Sequence, residues 1–455
     1  MRLELNGKRV LVLGLGDTGL SALRWLRGHG VASLTVADTR DVPPHLHTVQ
    51  TELPDVMVFL GPFRRKVFEH ADLVVASPGV PLAEAELQAA VARGTPVVGD
   101  VELFAQYRPR HAKLIAITGA NGKSTVTALA GAMCKMAGWD TIVAGNIGVP
   151  VLDTLTGHAP DVYVLELSSF QLETTFHLDA DAATVLNLTE DHMDRYSSMA
   201  EYAAAKARIF HGHGVQVLNR DDVWSRGMAL PGRLEVSFGL GVPPTHNDFG
   251  LIERGGRTWL AQGETELMDT AELRITGRHN AANALAALAL CRAIGLEYAP
   301  LLQALREFKG LPHRVEWVAE KGGVAFYDDS KGTNVGATSA ALSGFPQKVV
   351  LIAGGDGKGQ DFSPLRAPVM EHARAVVLIG RDGPRIGGVL GDCGVPLLDA
   401  STLEDAVRLA YAVALPGDAV LLSPACASWD MFRDYAHRAQ VFVDAVHSLS
   451  ERREA

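Results

Sequence analysis

Cysteine is scarce in this chain: four in 455 residues, Cys134, Cys291, Cys393 and Cys426, with no Cys-x-x-Cys pair. That spacing argues against a disulfide framework and a cysteine-based zinc site, and it fits a reducing cytosol. Long apolar runs are missing as well, and no stretch approaches the roughly 18 residues of a membrane span. The N-terminal "MRLELNGKRVLVLGLG" has a basic start but no small-residue cleavage site. Its apolar run ends in a glycine loop, so the expectation is that it is not a signal peptide. Positive charge is not in excess, since the formal net charge is −10. A general nucleic-acid surface is therefore not expected. There is no short-period repeat and no low-complexity segment. What remains is 47% apolar and 21% charged, ordinary for a soluble globular enzyme. The length allows two to four domains, with three the central expectation.

Apolar runs and helical stretches alternate along the chain, which predicts an α/β fold with β and α alternating throughout. "KRVLVLG", "SLTVADTR" and "ADLVVASPG" read as strands of a first block, 1–99. "KLIAITG", "DTIVAGNIG", "DVYVLELSS" and "AATVLNLT" read as strands of a second, 100–311, which closes with the alanine-rich helix "HNAANALAALALCRAIG". A third, 312–455, holds "GVAFYDDS", "KVVLIAGG", "ARAVVLIG" and "DAVLLSPA".

Two glycine loops carry the first chemistry. Gly14, Gly16 and Gly19 form G-x-G-x-x-G between a strand and a helix, and Asp38 ends the next strand. This is the dinucleotide fingerprint, in which glycines admit a pyrophosphate and the helix N-terminus offers N–H donors. It suits a dehydrogenase, another diphosphate ligand such as a UDP-linked molecule, or a plain tight turn. The second loop, Gly119-Ala120-Asn121-Gly122-Lys123-Ser124-Thr125, follows a strand and opens a helix. It is shorter than the usual P-loop. Gly119, Asn121 and Gly122 still allow the backbone to wrap phosphates, and Lys123 can reach the β- and γ-phosphates. Ser124 or Thr125 can offer a hydroxyl to Mg²⁺. A dehydrogenase has no use for this second loop. The pair favours an ATP-driven enzyme acting on a diphosphate-bearing substrate.

Downstream, Asn146 lies in "GNIG", Glu166 in "LELSSFQLE", and Asn187, Asp191 and His192 in "NLTEDHMDR". Hard oxygen donors near a triphosphate are what Mg²⁺ needs, and Glu166 ends an apolar strand well placed for it. His192 fits a metal ligand or a carbonyl-bonded histidine equally well. Lys206, flanked by small residues in "YAAAKARIF", reads on composition alone as a solvated helical lysine.

The ordered series "TGANGKSTVT", "GNIG", "LELSSFQLE", "NLTEDHMDR", "YAAAKARIF", "GRHNAANALAA", "GLPHRVEWV", "DDSKGTNVGAT", "AGGDGKGQDF" and "LSPACASWDMF" resembles the Mur ligases over essentially the whole chain. Within that family it is most similar to the branch that adds D-glutamate to UDP-N-acetylmuramoyl-L-alanine. The resemblance implies a Rossmann-like N-terminal domain for the UDP-substrate, a central P-loop ATPase-type domain and a Rossmann-like C-terminal domain for the amino acid. It implies a cytoplasmic monomer using ATP and two Mg²⁺ ions, with no nucleic-acid or membrane partner. It makes the short loop the family's normal ATP site. It also reverses the expectation for Lys206, whose equivalent carries a CO₂-derived carbamate that serves the metal beside Ser124, Thr125, Glu166 and His192. Lys123, Glu166, His192 and Lys206 are thus the implied catalytic set.

The remaining roles also come from the resemblance. Asp17, Thr18, Asp38, Thr39, Arg40, Ser77, Gly79, Asn146 and His192 match UDP-substrate contacts. Asn280, Arg314, Asp329 and Lys331 join Gly119 to Thr125 around ATP. Thr333, Lys358, Ser428 and Tyr435 match the D-glutamate positions. Tyr435 stands where the family pattern has Phe, and Trp429 is bulkier than the usual residue.

Overall fold

The computed structural model describes residues 2–275 and 277–450 and is built on three β-sheets. The first contains β1 (Arg9–Leu13), β2 (Ser33–Asp38), β3 (Met57–Leu60), β4 (Leu73–Ala76) and β5 (Val97–Val98), in the order β3-β2-β1-β4-β5, all parallel. Parallel strands need crossover helices on both faces, so a central strand is apolar throughout. Accordingly β1 is buried after its first residue. Its crossover helix, Asp17–Arg27, packs so close that a Cβ on Gly19 would lie 1.9 Å from the Gly14 carbonyl oxygen. Only glycine fits there, which is the packing role of the third glycine in the fingerprint.

The second sheet contains β6 (Lys113–Thr118), β7 (Thr141–Gly145), β8 (Val162–Glu166), β9 (Ala182–Val185), β10 (Val215–Asn219), β11 (Glu235–Phe238), β12 (Phe249–Arg254), β13 (Arg257–Gln262) and β14 (Thr265–Asp269). Their order is β14-β13-β12-β11-β10-β9-β6-β8-β7. The sequence predicts β and α alternating throughout, and here the structure departs from that. β12 and β13 form an antiparallel hairpin. Its turn is Gly255-Gly256, both at positive φ (62° and 73°), the conformation that a two-residue hairpin requires.

The third sheet contains β15 (Glu316–Lys321), β16 (Val324–Asp328), β17 (Val349–Gly354), β18 (Ala373–Ile379), β19 (Leu397–Asp399) and β20 (Ala419–Leu422), in the order β15-β16-β20-β17-β18-β19. β15 runs antiparallel to β16 and the other pairs are parallel. Alternate residues of β17 enter different cores: Val349, Leu351 and Ala353 one, Val350 and Ile352 the other. The chain forms two compact units: Met1–Asn187 with Ala200–Met268 and Ala284–Leu305, and Leu188–Met199 with Asp269–Asn283 and Arg306–Ala455. No helix among the described residues is long and apolar enough to cross a membrane.

Candidate active site

A cleft of about 890 Å³ opens at the carboxyl ends of the first sheet's strands, where ligands of open α/β sheets bind. Asp17, Thr18, Asp38, Thr39, Arg40, Ser77, Gly79 and Asn146 all line it. His192 belongs to the other compact unit. Asp38 is buried, and its carboxylate accepts from the Leu15 N–H at 2.7 Å and from the Arg40 guanidinium at 2.6 and 2.8 Å. Burial works to raise this carboxyl, but the bonds from Arg40 and Leu15 outweigh it and hold it below its ordinary value. An acid already committed to Arg40 is a poor receptor for the ribose of a dinucleotide.

The short phosphate loop joins β6 to helix Lys123–Met136. Gly122 caps the helix at φ 83°, and Gly119 sits at φ 152° with Leu186 and Asn187 against it. The Lys123 amine curls back to donate to the carbonyls of Gly119 and Ala120, each at 2.9 Å. Ser124 and Thr125 are buried in the first helical turn. Asn187, just past β9, fixes the loop from the side. Its Oδ1 accepts from the Asn121 N–H at 2.8 Å, its amide donates to the Asn121 carbonyl at 3.0 Å, and its own carbonyl accepts from Ala120 N–H.

Glu166 ends β8, beside Ile117 of β6 on one side and Gly145 of β7 on the other. It is 2% exposed. Its Oε1 accepts from the Asn146 amide at 2.8 Å, while Oε2 is buried with no hydrogen-bond partner among the described residues. Buried carboxylate oxygens are normally paired, so this one could hold a cation. Lys206 is not solvated. It is 1% exposed, and its amine donates to the Gly119 carbonyl at 2.9 Å and to Thr118 Oγ1 at 3.3 Å. Glu166, Lys206 and the phosphate loop therefore converge at the ends of β6 and β8.

The second unit gathers the other predicted residues. His192 has φ 58°, and its backbone N–H donates to the side chain of Asp191. Asp191 also pairs with the Lys358 ammonium and accepts from the Asn334 amide. The Lys331 ammonium lies 3.7 Å from the centre of the Tyr435 ring, a cation–π contact. Asp329 accepts from Ser423 Oγ at 2.6 Å. Burial pushes its carboxyl up to about 7, against the opposing pull of Ser423 and the Arg314 charge. Ser428 is buried, and its carbonyl accepts from the Phe432 N–H at 2.8 Å. Asn280 stands in the first turn of helix Arg278–Ala293, its Oδ1 accepting from Asn283. Thr333 follows Lys331 in the loop after β16, its N–H donating to the Lys331 carbonyl.

Over 450 residues the chain is 64% identical to UDP-N-acetylmuramoylalanine–D-glutamate ligase of Methylobacillus flagellatus, a match spanning 99% of both chains. The chain belongs to the Mur ligase family. The enzyme of the same name from Nitrosospira multiformis is 59% identical over 99% of this chain and 98% of that one. Three family models match in succession. They are the Mur ligase MurD-like N-terminal domain over residues 8–99, the Mur ligase middle domain over 117–291, and the glutamate ligase domain of Mur ligases over 313–426. Among solved structures, the pseudomurein peptide ligase type C of Methanothermus fervidus aligns with 97% of this chain and 100% of that one, with TM-score 0.61 and 17% identity. UDP-N-acetylmuramate-alanine ligase of Thermotoga maritima aligns with TM-score 0.60 and 19% identity, over 97% of this chain and 99% of that one. At these identities the likeness is one of fold.

Two features of this Mur ligase site escaped the sequence. Arg438 is wholly buried, donating to Ser330 Oγ, the Ser330 carbonyl and the Cys426 carbonyl. Burial pushes its guanidinium down to about 10. An arginine in "YAHRAQ" gives no sign of this, because Ser330, which takes two of its bonds, lies 108 residues away in the chain. Asn187 was visible only as one polar residue among several. Its place at the end of a strand beside the phosphate-loop strand is the signal that singles it out.

Proposed function

We infer that this chain is an ATP-dependent amide ligase that adds D-glutamate to UDP-N-acetylmuramoyl-L-alanine in peptidoglycan precursor synthesis. The observation that carries the ligase chemistry is the Glu166 oxygen beside the phosphate loop, buried with no partner among the described residues. The substrates follow from the names of the close relatives. Amide formation from a carboxylate is uphill, because carboxylate oxygen is a poor leaving group. Phosphorylating the alanyl carboxylate with ATP gives an acyl phosphate. The glutamate amine then attacks its carbonyl carbon, and the tetrahedral intermediate expels phosphate.

Site roles follow the same reading. Lys123 steadies the β- and γ-phosphates in a loop shaped by Gly119, Asn121 and Gly122, and Asn280, Arg314, Asp329 and Lys331 complete the ATP site. The donor set fits Mg²⁺: Glu166 Oε2 is buried without a partner among the described residues, and the Ser124 and Thr125 hydroxyls are hard oxygens in the first helical turn after the phosphate loop. His192 and Lys206 complete it, for two ions in all. Mg²⁺ supplies charge neutralisation on the transferring phosphoryl group. Lys206 gains an anionic oxygen by carbamylation, its neutral amine adding to CO₂ with loss of a proton. Its burial beside the phosphate loop, with the amine on Thr118 Oγ1 and the Gly119 carbonyl, supports this, since it sets the side chain close to the loop that carries Ser124 and Thr125. Asp17, Thr18, Asp38, Thr39, Arg40, Ser77, Gly79, Asn146 and His192 serve the UDP-linked substrate, and Thr333, Lys358, Ser428 and Tyr435 the glutamate. We place domain boundaries at 99/100 and 311/312, and take the enzyme as a cytoplasmic monomer.

Phosphate release from ATP and Mg²⁺ with UDP-N-acetylmuramoyl-L-alanine tests the assignment directly. Release is expected with D-glutamate and not with L-glutamate or without amino acid, and product mass should rise by one glutamyl residue. Release with L-glutamate alone keeps the mechanism and overturns the stereochemistry. No release with either overturns the substrates. Lys358→Ala is expected to raise KM for glutamate about tenfold, with KM for ATP little changed, because the lost ammonium is a charge-assisted donor to a carboxylate. Equal effects on both KM values remove Lys358 from the amino-acid pocket.

A further inference from the structure

The cleft at the first glycine loop is short of available positive charge. Its lining carries three carboxylates, Asp17, Asp38 and Asp153, against two guanidiniums, Arg24 and Arg40. Both guanidiniums are engaged with acids. Arg40 bonds Asp38, and Arg24 donates to Glu52 Oε2 at 2.6 and 3.1 Å. Asp153 accepts from Ser21 Oγ at 2.6 Å. A nucleoside diphosphate brings still more negative charge to this loop. The other cleft residue able to carry positive charge is His45, which immediately precedes helix Leu46–Glu52. Its Nε2 lies 2.7 Å from Asp17 Oδ1.

Asp17 is the first residue of helix Asp17–Arg27, which follows directly on Gly14 and Gly16 of the glycine loop. A helix start attracts phosphate, and a bare carboxylate beside it repels the same ligand. The Asp17 side chain is 85% exposed, so its pair with His45 contributes little to stability. Its effect falls on what binds in the cleft.

We propose that His45, as an imidazolium paired with Asp17, is a positioning residue for the diphosphate of the UDP-linked substrate. It cancels the Asp17 carboxylate and holds it aside from the helix start. The inference rests on the reading that this cleft takes a UDP-linked ligand.

The test compares wild type, His45→Ala and His45→Gln. Kinetics are compared at about pH 6 and about pH 8.5. Wild-type KM for UDP-N-acetylmuramoyl-L-alanine is expected to rise with pH. His45→Ala should raise it about fivefold at the lower pH and flatten the profile. His45→Gln should behave like His45→Ala. kcat and the KM values for ATP and glutamate should not move. An unchanged KM in His45→Ala, or a wild-type KM in His45→Gln at the lower pH, overturns the proposal. Calorimetry with UDP alone separates this from the broader reading. If wild type fails to turn over but binds UDP more tightly than His45→Ala, the role of His45 stands and the substrate assignment falls.

Discussion

Lys123→Ala is expected to lower kcat for phosphate release by about a thousandfold, with the thermal unfolding midpoint nearly unchanged. The two effects separate because of what the amine does in this structure. It donates to the carbonyls of Gly119 and Ala120 at the rim of the loop. Those bonds are to neutral acceptors, and a triphosphate, with full negative charge, outcompetes them. The amine is thus stored on the loop that it will serve, and little of the fold depends on it. Asn187 retains the loop's shape when the amine is gone. Stopped-time phosphate assays and a melting curve on one preparation check both halves. Activity within tenfold of wild type would place the triphosphate elsewhere, and a collapsed melting curve would make Lys123 structural.

Glu166→Gln should cost at least about a hundredfold in kcat while leaving the ligand-free protein within about 1 kcal/mol of wild-type stability. Glu166 is the reverse of a stabilising residue. One of its oxygens is bonded to Asn146 and the other is buried without a partner among the described residues. A buried carboxylate in that state costs stability, which a bound cation would return. The amide keeps the acceptor for Asn146 and removes the charge. Mg²⁺ with an ATP analogue should raise the melting point of wild type and barely move the variant. An equal rise in both would take Glu166 out of the metal site, whatever the activity showed.

How much of this was legible varied with the physical signal. The phosphate loop was plain because strand, glycines, Lys123 and helix are contiguous, and each contact within it spans a few residues. The parallel strands β1, β6 and β17 were plain because burial on both faces makes them apolar throughout. The hairpin of β12 and β13 was missed because "FGLIER" and "RTWLAQ" are half exposed, carry charge, and join through a two-glycine turn easily taken for a loop. Lys206 was misjudged from composition, since nothing in "YAAAKARIF" reveals that the helix aims its amine at Gly119. The link between Lys358 and Asp191 spans 167 residues, beyond any local pattern. Asn187 and Asp191, four residues apart, seemed one acidic cluster, yet they fall in different compact units.

The grip of Asn187 on the phosphate loop has a thermodynamic consequence. One side chain bonds both the N–H and the carbonyl of Asn121, as a neighbouring strand would. These bonds constrain the loop when the chain folds, so less conformational entropy is left for nucleotide to remove there. Binding energy from the triphosphate remains available for strain and alignment at the carboxylate to be activated, and a glycine-rich segment that would otherwise sample many shapes presents one.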